Sequence, residues 1–171
     1  MKNAEFWIKK LGLQKHPEGG WFKEAYRSGE FIKKEHLPER FKGERHHSTA
    51  IYFLITTGEF SAFHRIKSDE LWHFYDGSAI TIHMIDDDRN YSTVTLGRDI
   101  EKGEVFQYAI PKGIWFAAEV EEKDSYSLVG CTVAPGFHYD DFELAKREDL
   151  VKLFPKHKKV IERLTRIPVK D

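Results

Sequence analysis

The sequence predicts a mainly-β domain, an antiparallel sandwich or barrel, with a short N-terminal helix and a helical C-terminal segment. From Ser48 to Pro135 short aromatic or β-branched runs recur at a steady interval: "STAIYFLITT", "SAFHRI", "ELWHFYDG", "AITIHMID", "YSTVTLG", "VFQYAIP", "IWFAAEV" and "YSLVGCTVAP". Turn formers separate them, among them Gly58, "KSD", "DDDRN", "EKGE" and "KG". Short strands punctuated in this way belong to all-β sandwiches and barrels. At both ends of the chain the apolar period lengthens from two residues to that of a helix.

The elements follow in order. Asn3 can cap a helix whose face carries Ala4, Trp7, Ile8 and Leu11, and Gly12 can end it. "HPEGGWFKEAYRS" begins with turn chemistry, in which Pro17 fixes φ and Gly19–Gly20 free the backbone, and then becomes extended. The sequence favours a structural role for this turn, with Glu24 and Arg27 able to pair locally or to reach the rim of a pocket. Residues 29–47 are polar and read as a loop. The strands span about 48–135, and a helical segment spans about 140–167, broken at Pro155 and carrying Val160, Ile161, Leu164 and Ile167 on one face. No linker or repeat divides residues 1–171, which read as one domain long enough to bury a core.

Composition narrows the function classes. Positive and negative charges are mixed to a net charge of −1, so the electrostatic footprint of a nucleic-acid polymer is missing. The basic stretch "KHKKVIERLTR" reads as a solvated helix face. No run approaches the ~20 apolar residues of a membrane helix, and the lone Cys131 sits among apolar neighbours as a small core residue. A single cysteine fits a reducing, cytoplasmic setting. Aromatic residues make up 14% of the chain, enough to line a pocket as well as to pack a core.

The stretch "GEFSAFHRIKSDELWHFYDG" carries the chemistry. Strand parity puts Glu70, Trp72 and Phe74 on one face and Leu71, His73 and Tyr75 on the other; Ala62, His64 and Ile66 likewise share a face. The short "KSD" link predicts adjacent antiparallel strands that bring His64 and Glu70 together. Imidazole and carboxylate can hold a metal, move a proton or simply form a structural hydrogen bond.

This stretch resembles the first cupin motif, G-x5-H-x-H-x3,4-E-x6-G, through Gly58, His64, Glu70 and Gly77, with Ile66 in place of the second histidine. The second motif, G-x5-P-x-G-x2-H-x3-N, is matched more loosely by Gly103, Pro111 and Gly113, and Phe116 occupies the histidine position. With "HPEGGWFKEAYRS", "STAIYFLI", "GIWFAAE" and "LVGCTVAPGFHYDDFELA", the blocks from His16 to about Ala145 look like the Cupin_5 family. The resemblance implies a double-stranded β-helix (jelly-roll) barrel, a pocket in its mouth and a homodimer with strands shared across the barrels.

A catalytic cupin metal is held by three imidazoles and a carboxylate, and here only His64 and Glu70 remain. Two ligands fall short of the usual three, so no cofactor is expected and a divalent metal is disfavoured. His73 would complete a set with His64 and Glu70 only if a bulge turned it inward; His83 is another possible donor. What remains is an aromatic pocket for a small molecule, with Tyr52, Trp72, Trp115, Phe116 and Phe137 as candidate walls around His64 and Glu70. The leading expectation is a protein that binds a sugar-, nucleotide- or nucleoside-like compound and performs metal-independent epimerase, isomerase or dehydratase chemistry, with His64 as base or acid and Glu70 its orienter. The alternatives are a binding protein without turnover, a metal-dependent enzyme, and an interaction protein with an incidental cavity.

Overall fold

The computed structural model describes residues 3–167. The chain runs through α1 (Ala4–Leu11), β1 (Gln14–Lys15), β2 (Trp21–Arg27), β3 (Phe31–Ile32), β4 (Arg45–His46), β5 (Thr49–Thr56), β6 (Phe60–Arg65) and β7 (Asp69–Gly77). It continues through β8 (Ile80–Ile85), β9 (Tyr91–Leu96), β10 (Gln107–Ile110), β11 (Trp115–Glu119), β12 (Tyr126–Ala134), β13 (Glu143–Leu144), α2 (Arg147–Leu153) and α3 (Lys158–Arg163). Two antiparallel sheets face each other, ordered β1-β2-β5-β12-β7-β10 and β13-β6-β11-β8-β9, with β3 and β4 paired apart. This is the jelly-roll barrel that the resemblance implied. Each apolar run from Ser48 to Pro135 contains one strand. Among the described residues no helix is long and apolar enough to cross a membrane.

Alternation along the strands builds three apolar layers. Phe53, Ile55, Trp72, Ile80, Ile82, Phe116 and Val129 point inward and form the barrel core. Phe63, Ile85, Trp115 and Ala117 point out of the five-stranded sheet and are covered by Leu150, Phe154, Ile161 and Leu164 of the C-terminal segment. Leu54 and Leu128 point out of the six-stranded sheet toward Trp7, Ile8 and Leu11 of α1. That helix is capped as its sequence predicts: the Asn3 side chain accepts from the Phe6 N–H at 2.9 Å, and Gly12 takes the left-handed conformation.

Three expectations change. β6 and β7 are not neighbours, because the "KSD" link crosses from one sheet to the other. His64 and Glu70 therefore reach the same cavity from opposite sheets and not along one ladder. The helical segment is also interrupted near its start, after a 3-10 turn at Tyr139–Asp141. Glu143 and Leu144 pair with Arg65 and His64 of β6, and α2 begins at Arg147. Strand edges compete with helix propensity here, and pairing prevails. Finally, the barrel strands begin before residue 48: the extended run after Gly20 is β2, which pairs with β5 along its length. At the turn before it, Gly19 has φ +115° and a Cβ there would run into the Phe60 carbonyl. Gly20 has φ +77°, with the Leu54 carbonyl 2.8 Å from such a Cβ.

The polar region 29–47 also has a structural role. Arg45 is 3% exposed and donates through Nε and Nη2 to the two carboxylate oxygens of Asp141, at 2.5 and 2.7 Å. Asp141 lies in the segment that bends over the barrel mouth, so this bidentate pair ties the loop to the mouth. Losing one partner strands a buried charge. Arg45→Met is expected to lower unfolding stability by about 3–5 kcal/mol, and adding Asp141→Leu to recover most of it. Urea denaturation of the three proteins checks this; a loss below about 1 kcal/mol in the single variant rejects the account.

Candidate functional site

A cavity of about 420 Å³ opens at one end of the barrel, the size of a small-molecule site. Among its polar groups are His16 and Glu18 from the turn before β2, His64 from β6 and Glu70 from β7. Phe22, Phe137 and Phe142 supply aromatic walls, and Arg27, salt-bridged to Glu24 at 2.8 Å, sits at the edge. A larger, shallower hollow of about 1160 Å³ lies outside, beside Tyr52, Tyr75 and Arg98. It gathers no comparable set of buried titratable groups, so the barrel cavity is the stronger candidate site.

The carboxyl closest to the imidazole is not the one the motif suggests. His64 Nδ1 lies 3.0 Å from Glu18 Oε2. Its N–H is directed elsewhere, to the Ala62 carbonyl at 2.7 Å. A carbonyl only accepts, so the proton is on Nδ1 and Nε2 is the basic atom of the ring. Glu18 Oε2 is thus buried without a hydrogen bond. His16 points the other way round: its Nδ1 accepts from the Glu18 N–H at 3.2 Å, and its ring meets Phe22 edge-on at 4.6 Å. Glu70 Oε1 accepts from Trp72 Nε1 at 3.0 Å.

Burial dominates the protonation states. It pushes Glu18 well above the ordinary carboxylate range, and the neighbouring Glu70 adds to this. It raises Glu70 to about 7 against the opposing hydrogen bonds from Cys131 and Trp72. It lowers His64 to about 4, opposed by the Ala62 hydrogen bond, and lowers His16 to about 4. Near pH 7 the His16 and His64 imidazoles are therefore neutral, Glu70 is close to its midpoint, and Glu18 is shifted toward its uncharged form. Desolvation pushes the Cys131 thiol up, with Glu70 nearby, so it is a poor nucleophile.

Of the residues singled out from the sequence, His64, Glu70 and Phe137 line the cavity. Trp72 is buried behind it as the donor to Glu70, and the Phe116 ring packs against His64 with centroids 4.1 Å apart. Tyr52 was expected to face inward. The phase of β5 puts Ile51 and Phe53 inside, and Tyr52 meets Tyr75 on the outside at 6.1 Å. Trp115 also faces outward, with the Arg65 guanidinium 4.5 Å from its ring centroid. His73 stays opposite Gly130 in the ladder, and the irregularity of β7 comes after it, between the partners of Val129 and Leu128. It contacts Thr132 at 3.3 Å and cannot join His64 and Glu70 on a metal. His83 faces out of the five-stranded sheet beside Tyr91.

The metal clasp that the spacing resembles does not fit these residues. Ile66 lines the cavity with hydrocarbon, Phe116 is buried in the core, and neither has a lone pair to offer. Sequence reasoning missed His16, Glu18 and Phe142. The first two lie in "HPEGG", where the pair of glycines was a signal that backbone passes close to backbone. Phe142 arrives with the mouth segment, its ring 5.5 Å from His64.

The same architecture occurs in other proteins. Protein SO0799 from Shewanella oneidensis is 42% identical, and its crystal structure matches with a TM-score of 0.88 over 97% of this chain and 99% of that one. A hypothetical protein from Leishmania major is 38% identical, with a TM-score of 0.86 over 97% and 100% of the two chains. The uncharacterised protein YML079W of Saccharomyces cerevisiae is 31% identical over 149 residues, 82% of this chain and 74% of its own length. Residues 5–145 match the family model described as Cupin superfamily (DUF985), and the chain belongs to that family, Cupin_5.

Proposed function

We propose that the barrel cavity binds a small, largely neutral polar molecule of the sugar or nucleoside kind, and that His64 and Glu70 exchange protons with it. The observation that carries this reading is Glu18 Oε2, a carboxyl oxygen buried without a hydrogen bond in an aromatic-walled cavity. Buried polar atoms are almost always satisfied, and a ligand hydroxyl or amide would satisfy this one. Burial of the carboxyls penalises any further negative charge inside, so a neutral ring suits the interior better than an anion.

The walls divide the work. His64 comes from the five-stranded sheet and Glu70 from the six-stranded sheet, so a ring between them meets a base on one side and an acid on the other. The Ala62 carbonyl fixes the His64 tautomer, leaving Nε2 to take a proton. Glu70, at about 7, can give one, and Glu18, shifted by burial toward its uncharged form, can hold the ligand by hydrogen bonding. Epimerisation, isomerisation and dehydration each need such a pair. One observation favours binding without turnover: at about 4, His64 is a weak base.

The reading includes the homodimer with shared strands that the resemblance implies, its subunits meeting at the six-stranded sheet, where Leu71 and Tyr75 stand exposed. Tyr75→Arg is expected to yield monomer by analytical ultracentrifugation; a parent that is already monomeric removes the dimer from the reading.

Replacing Glu18 separates stability from binding. Glu18→Leu removes an unsatisfied buried group and is expected to stabilise the protein by about 1–3 kcal/mol while abolishing thermal stabilisation by sugars and nucleosides. If no member of such a panel stabilises the parent, the cavity is not this kind of site.

Proton donation by Glu70 sets the pH dependence. The donor form is lost as pH rises through about 7, so ligand affinity or turnover should fall above that value. Glu70→Gln keeps a donor that does not titrate and should flatten the profile. His64→Ala should remove turnover and retain part of the binding; a binding protein shows no turnover to lose. A profile that keeps its midpoint near 7 in Glu70→Gln assigns the titration to another group.

A further inference from the structure

A second set of donor groups stands on the other side of the five-stranded sheet from the cavity. His83 and Glu119 both point outward from the neighbouring strands β8 and β11, where His83 pairs with Ala117 and Thr81 with Glu119. Glu121 follows just beyond β11. One donor atom from each of His83, Glu119 and Glu121 lies within 4.8 Å of the others, and this is the convergent set among the described residues.

The histidine supplies an observation independent of that clustering. His83 is 3% exposed, and its Nδ1 is held 2.7 Å from the Tyr91 hydroxyl. Its Nε2 is buried and makes no hydrogen bond, although Glu119 Oε1 is only 3.1 Å away. A nitrogen that approaches a carboxylate oxygen without bonding to it suits two ligands aimed at a common third atom. Two donors each about 2.1 Å from a tetrahedral zinc ion lie about 3.4 Å apart, close to the spacing seen. An imidazole held through its far nitrogen by a hydroxyl has the orientation typical of a metal-bound histidine.

We propose that His83, Glu119 and Glu121 bind a divalent metal ion of the zinc type at the joint between barrel and C-terminal helix. One imidazole and two carboxylates are a borderline-to-hard donor set, suited to zinc or a neighbouring first-row ion. Arg163 of α3 is the competitor: its guanidinium contacts Glu119 Oε1, but the side chain is half exposed and can swing away. His157, whose ring is 5.6 Å from that of Tyr91, completes the surroundings. Metal binding would exchange the Arg163 contact for a bond that ties β8 and β11 together.

The test is calorimetric titration of zinc chloride into the metal-stripped full chain. A single equivalent is expected, with affinity reduced about tenfold or more in Glu121→Gln and at least maintained in Arg163→Ala. Glu121 is exposed, so its replacement leaves the core undisturbed. His64→Ala should bind zinc as the parent does. Absence of binding in both the parent and Arg163→Ala overturns the proposal. So does zinc binding that survives Glu121→Gln unchanged, and so does binding that disappears in His64→Ala, which would put the metal in the barrel cavity. The cavity's own ligand reading stands or falls separately.

Discussion

Two carboxyl groups, Glu18 and Glu70, share a cavity with two imidazoles, and closure of the barrel around them removes most of the water that would carry their charge. The pattern of protonation follows from that. Desolvation raises the two acids and lowers the two bases, so each of the four is shifted toward its uncharged form. The hydrogen bonds then decide direction. Trp72 and Cys131 keep Glu70 from rising as far as burial alone would take it, and Ala62 gives the His64 proton a fixed place. Only Glu18 Oε2 is left without compensation, a cost that folded proteins tend to retain where it serves a site.

The architecture makes this arrangement possible by dividing the barrel wall. His64 and Glu70 belong to opposite sheets, so they reach the same cavity from two walls and are fixed by two independent ladders. Glu18 is delivered from outside the barrel strands by a turn that only glycine can make so close to the Phe60 and Leu54 carbonyls. The mouth is finished by a segment tied through Asp141 to Arg45, which brings Phe137 and Phe142 over the polar groups. Around all this, α1 covers Leu54 and Leu128 on one outer face and the C-terminal helices cover the apolar residues of the other.

Phe116 shows how a familiar spacing can change chemistry without changing fold. The position that would carry a metal-binding imidazole carries a phenyl ring packed on His64, and Ile66 adds hydrocarbon beside it. Both changes dry the site and weaken any claim of a cation on it. They favour hydrogen bonding and proton transfer, which gain strength in a low-dielectric interior. Strand alternation, meanwhile, sends His83 outward, where Glu119 and Glu121 await it on the other side of the same sheet.

The sequence by itself determined the strands, their periodicity and the capped first helix, because these depend on local spacing and turn chemistry. It also determined that Glu70 and Trp72 face one way and His73 the other, since side chains alternate along any strand. Parity says which residues share a face and not which face is inside; Tyr52 was therefore legible as an alternate of Phe53 but not as an outer residue. Only the tertiary structure decided that β6 and β7 lie in different sheets, because a three-residue link can close a hairpin or cross a sandwich. Only it could bring Glu18 to His64, a contact made by the pairing of β2 with β5 and by the passage of the glycine turn against Phe60. The protonation states were settled last, since they depend on how completely distant segments shut out water.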